Sequence, residues 1–112
     1  MIENISFSNI TIDRNYGAPV RIEIAPHNLC RGIRYVYFTG VRARSVGMPV
    51  LKGREDSPLG HISFNDCRFT RISYKDIPTK YAARLAAQGD GKTLPVFREV
   101  KDLYLNGTFF DL

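Results

Sequence analysis

Apolar and polar residues alternate along most of this chain, and the alternation breaks at recurring places. Four windows of eleven residues share one pattern: Ile2 to Ile12, Ile33 to Ala43, Leu59 to Phe69 and Val100 to Phe110. They begin at intervals of 31, 26 and 41 residues. The first position holds Ile2, Ile33, Leu59 and Val100; the fourth holds Ile5, Val36, Ile62 and Leu103. Phe7, Phe38, Phe64 and Leu105 fill the sixth, and Ile12, Ala43, Phe69 and Phe110 the eleventh. The eighth holds Asn9, Gly40, Asp66 and Gly107, residues that tolerate positive φ at least cost. On either side of it the period is two, as in a half-buried strand, but the apolar gap across it is three. Each window therefore predicts a strand, a one-residue left-handed corner, and a second strand with its apolar side toward the same interior.

A third strand comes after each corner pair. Ala18 to Ile24 alternates, and Met48 to Gly53 and Leu94 to Phe97 look like its counterparts, each with a proline just before an apolar pair. Proline is acceptable at a strand's first position. Units of this length are too short for a strand–helix–strand crossover and its return. They are long enough for one turn of a parallel β-helix, in which equivalent residues lie ~4.8 Å apart and like stacks on like. That accounts for the Phe7, Phe38, Phe64 column. An antiparallel meander would need two-residue hairpin turns. No Asn-Gly or Asp-Gly joins consecutive strands in the windows, and Asn106-Gly107 lies inside the corner column. The long third interval carries one predicted helix, 76–89, with Asp76 as cap, Pro78 in the first turn and Gly89 at its end. Ile77, Tyr81 and Leu85 would face the strands, and Asp90-Gly91 would turn the chain afterwards. The expected fold is all-β: one domain over residues 1–112, about four coils of a single-stranded parallel β-helix with one short helical insertion.

Composition changes this picture little. The chain has 112 residues with a net charge of +5, and its basic residues never form a block. No apolar run is long enough for a membrane-spanning helix. The first residues have no basic stretch followed by an apolar one, so no signal peptide is expected. Cys30 and Cys67 sit at different offsets from the repeat, which predicts no disulfide, and Cys67 falls in an inward column. Most aromatics fall in inward columns too, leaving few for base stacking, so no nucleic-acid partner is expected.

The repeated columns resemble the pectin-lyase-like right-handed parallel β-helix. Within it, IENISFSNITI, PVLKGREDSPLGHISFNDCRF and VKDLYLNGTFF resemble the C-terminal coils of glycoside hydrolase family 28, the polygalacturonases. The resemblance spans most of the chain outside the helical insertion. It implies kinship with inverting, pectin-degrading hydrolases, whose chemistry uses aspartates in an Asn-Thr-Asp segment and an Asp-Asp pair. A Gly-His-Gly segment and a downstream Arg-Ile-Lys complete the family's set. The first three are absent from this sequence, so no catalytic residue is expected in it.

Only Arg21-Ile22-Glu23 is similar to the last motif, with Glu where the family has Lys. Arg21 could hold a substrate carboxylate through two parallel hydrogen bonds; Glu23 would repel one. These two are the candidate substrate-binding residues, and an acidic polysaccharide is the candidate partner. Glu55 and Asp56 are adjacent on an extended chain and point apart, a poor acid/base pair. Neither His27 nor His61 has cysteines or carboxylates at ligand spacing, so no metal and no cofactor are expected. An open first coil exposes backbone groups and apolar side chains, which predicts a homo-oligomer with a second copy covering it. The sequence supports two readings: a non-catalytic fragment of a polysaccharide hydrolase, or a carbohydrate-binding or structural β-helix module.

Overall fold

The computed structural model describes residues 2–25, 31–90 and 94–112. It is mostly β, with three sheets whose paired strands all run parallel. The first sheet holds β1 (Ile2–Ser8), β4 (Ile33–Thr39), β7 (Leu59–Asn65) and β10 (Val100–Asn106), in that order across it. The second holds β2 (Thr11–Asn15), β5 (Arg42–Ser45), β8 (Arg68–Arg71) and β11 (Phe109–Asp111). The third holds β3 (Arg21–Glu23), β6 (Val50–Lys52) and β9 (Val96–Arg98). The chain visits first, second and third sheet in turn, and each visit adds the next strand.

The predicted columns are hydrogen-bonded neighbours. Ile2 pairs with Ile33, Ile33 with Leu59, and Leu59 with Val100. The corner residues all have positive φ: Asn9 at 54°, Gly40 at 66°, Asp66 at 55° and Gly107 at 57°. The rings of Phe7 and Phe38 stack at 5.1 Å, those of Phe38 and Phe64 at 4.7 Å, and those of Phe69 and Phe110 at 5.5 Å. Such pairs contribute about 0.5–1.5 kcal/mol each beyond their burial. Phe64 meets Phe69 edge-on at 5.7 Å, and Phe97 meets Phe110 at 6.1 Å, so the rings also tie one sheet to the next. One buried cluster joins the sheets, drawing Val36, Phe38, Ile62 and Phe64 from the first, Ala43 and Phe69 from the second and Leu51 from the third. Cys67 is buried beside the corner, its thiol 3.5 Å from the carbonyls of Phe38 and Asn65.

The structure adds a second bend and corrects three details. Asn4, Tyr35, His61 and Asp102, at the third position of each window, also have positive φ, between 45° and 62°. All four first-sheet strands therefore bulge at the same place and stay in register. The apolar gap of three between the first and fourth positions is the same signal that marks the corner.

The third sheet's register differs from the proline alignment. Arg21 pairs with Val50, so Val20, not Pro19, sits level with Pro49. The cause is burial: Ile22, Leu51 and Phe97 must share the inward column. Gly53 comes next at a crowded exit, where a Cβ would lie 2.5 Å from the Glu99 carbonyl oxygen.

The predicted helix over 76–89 is not one helix. Tyr74–Asp76 forms a 3-10 turn, and α1 covers only Ala82–Gln88. Asp76 closes a capping box with Ser73 and does not cap α1. Pro78 is the reason for the break, because it drives the preceding residue out of the helical region. Ile77 accordingly has φ −96° and ψ 112°. Leu85 is buried as expected, but Tyr81 is 56% exposed, off the packed face. Gly89 ends the helix at φ 66°, and its carbonyl accepts a hydrogen bond from the Tyr16 hydroxyl at 3.3 Å, tying the insertion to the β2–β3 connection. His27 and Cys30 lie outside the described residues, as does Gly91 of the expected turn after the helix.

Two positions test this account. Asp66→Asn should leave stability within about 0.5 kcal/mol, because Asn also accepts the left-handed corner. Asp66→Val should lower it by about 1–3 kcal/mol, since a branched Cβ does not. Urea denaturation reads both. Ser45 is buried, and its hydroxyl has no hydrogen-bond partner among the described residues. Ser45→Ala should therefore stabilise the chain by about 1 kcal/mol, a rise in Tm of roughly 5 °C for a domain of this size.

Candidate functional site

Three outward faces carry the charge, and they differ in how far it is already neutralised. On the second sheet Arg42, Arg44 and Arg68 each face an aspartate. Arg44 reaches Asp13 at 2.9 Å, Arg68 reaches Asp111 at 3.1 Å and Arg42 lies 3.6 Å from Asp66. Thr70 adds a hydrogen bond to Asp111 at 3.0 Å. Arg14 shares Asp13 at 3.7 Å, and Arg71 takes part in no ion pair among the described residues, so most but not all of the positive charge there is met by a carboxylate.

The third sheet is different. Its strands are three residues long, with the central residue inward, so the flanking residues face out. Arg21 and Glu23 are both exposed and joined by an ion pair of 2.9 Å. The structure thus brings the two sequence-predicted residues together, and each occupies the other. The register sets Glu23 beside Lys52 and Lys52 beside Arg98. Among the described residues neither Lys52 nor Arg98 takes part in an ion pair. Parallel neighbours are ~4.8 Å apart, so these cations form a short row that can face successive anionic groups of a polymer. Sequence reasoning missed this row. The signal was present in the period-two alternation of each third-sheet strand, but only the correct register aligns Glu23, Lys52 and Arg98.

The acidic residues that the sequence singled out are each held locally. Glu55 and Asp56 sit in a tight turn closed by reciprocal backbone hydrogen bonds between Arg54 and Ser57, and Asp56 meets the Arg54 guanidinium at 3.1 Å. Asp66 holds its corner, while Glu99 and Asp102 are themselves at positive φ. Among the described residues no three His, Cys, Asp or Glu side chains converge as a metal site would require.

The first sheet's outer face carries aromatic rings outside the inward columns. Tyr35 at the third position and Tyr37 and Tyr104 at the fifth face out and surround His61. The fifth position lies between the inward fourth and sixth, and so points outward by the period of two. Next to them, the Glu3 carboxylate accepts a hydrogen bond from Arg34 Nε at 2.8 Å. That bond first, and the attraction between the two charges after it, hold Arg34 above its ordinary pKa. Comparison with known proteins finds no matching family model, no similar curated protein and no similar solved structure.

Proposed function

We propose that the chain is a right-handed parallel β-helix that holds an acidic polysaccharide across the outer face of its third sheet and does not hydrolyse it alone. The cyclic visiting of three parallel sheets supports the helix, and the strong preference of parallel crossovers for the right hand supports its sense. The relation to the C-terminal coils of family 28 pectin-degrading enzymes rests on the window residues, and the absence of hydrolysis rests on the missing aspartate motifs. The observation that carries the binding function is the Lys52–Arg98 row, a half-buried lysine beside an exposed arginine on successive strands, with no carboxylate of their own among the described residues. Arg21 joins them once a substrate carboxylate competes with Glu23 for its guanidinium.

A second copy of the chain completes the molecule in this proposal. β1, β2 and β3 each lie at an edge of their sheet. Ile2 is 47% and Phe7 40% exposed there. An open apolar depression of about 260 Å³ lies among Phe7, Ile10, Ile12, Val20 and Ile22. Unpaired strand edges over exposed apolar side chains are what association removes.

Calorimetric titration with oligogalacturonate should show binding that weakens with salt. The Lys52→Ala, Arg98→Ala double variant should weaken it by about tenfold or more, with no release of reducing sugar by either protein. Sugar release lost on changing Glu23, Glu55 or Asp56 would make the chain a hydrolase instead. Light scattering should give a mass of two or more chains, and a monodisperse monomer would remove the second copy.

A further inference from the structure

The outer face of the first sheet carries a built cluster that the proposed function does not use. His61 lies at its centre, with its ring centroid 5.3 Å from Tyr35, 5.7 Å from Tyr37 and 5.1 Å from Tyr104. The rings meet at 43°, 62° and 48°, so they form a faceted cradle and not a flat stack. Tyr35 is 36% and Tyr104 43% exposed. Tyr35 and His61 occupy the bulge at φ 57° and 45°, where bulky side chains are uncommon. Asn4 and Asp102 suit that backbone at the other two strands; Tyr35 and His61 bring strain to it without burying anything in the core.

A notch adjoins the cradle. Glu3, Arg34, Gly60 and Lys101 share one outward row on β1, β4, β7 and β10. Gly60 has no side chain, and an opening of about 230 Å³ lies at its place, bounded by Arg31, Arg34 and Lys101. Arg34 is paired with Glu3 at 2.8 Å. Arg31 and Lys101 take part in no ion pair among the described residues. Asp102 stands at the end of the His61 row, so positive charge exceeds negative even with both carboxylates counted. Toward the corner the outward row is uncharged: Ser8, Thr39, Asn65 and Asn106. The cations therefore gather at one end of the rings.

We propose that this face binds one hexuronate residue of an acidic saccharide, its pyranose ring against His61 and Tyr104 and its carboxylate in the Gly60 notch. Tilted rings with hydroxyl and imidazole nitrogen at their rims suit a sugar, which has an apolar C–H face and polar edges. Arg31 supplies a planar fork that matches a carboxylate, and Lys101 a second cation. A single-stranded nucleic acid would call for cations that track a backbone past flat stacking platforms, and these do not. The ligand class is that of the proposed function, but the residues are on another sheet, so either site can fail without the other.

The test is NMR titration of the whole chain with digalacturonate, following the His61 imidazole and Tyr104 ring signals. Both should shift. Tyr104→Ala and Lys101→Ala, exposed positions that leave the core intact, should each weaken binding at this site by about tenfold. Gly60→Asp, whose Cβ would sit 3.5 Å from the Arg34 Cβ in ordinary contact, should abolish it by setting a carboxylate in the notch. The Lys52→Ala, Arg98→Ala protein should keep the shifts. The proposal is overturned if the His61 and Tyr104 signals do not move. Equal shifts with a neutral disaccharide, or a response only to a sulfated disaccharide or to oligothymidylate, overturn it as well.

Discussion

Everything in this molecule depends on four strands bending at the same two places. A parallel sheet stays in register only if each strand keeps the same residues opposite the same partners. Here every first-sheet strand carries a left-handed residue at its third position and another just past its end. Each bend skips the chain by one residue, which moves later side chains to the other face. Because all four strands skip together, Phe7, Phe38 and Phe64 remain above one another and close the core with stacked rings. A single strand without its bend would turn its inward side chains outward and break the pairing on both sides.

This constraint also arranges the surface. A parallel stack repeats itself outward as well as inward, so a charge or ring at one position has a neighbour at the same position on the next strand. The second sheet uses this repetition to pair most of its charge, with Arg14 and Arg44 on Asp13, Arg42 near Asp66 and Arg68 on Asp111. The third sheet aligns Glu23, Lys52 and Arg98, and the first aligns Tyr35 with His61. The insertion between β8 and β9 stands apart from the repetition. It is anchored by Leu85 and by the Tyr16 hydroxyl, and its caps, Ser73 with Asp76 and Gly89, are local.

The alternation of apolar residues and the Asn, Gly, Asp, Gly column determined the strands, their parallel partners and the inward columns, because a buried face and a left-handed backbone each restrict residue type strongly. The positive φ at Tyr35 and His61 was hidden by residue type, since neither favours it; only the three-residue apolar gap betrayed it. Outward positions restrict residue type weakly. The pairing of Arg21 with Glu23, the row through Lys52 and Arg98, and the rings around His61 therefore had to come from the tertiary structure. A shift of one residue in register decides which outward side chains are neighbours, and that register is set by how Ile22, Leu51 and Phe97 fill the core together.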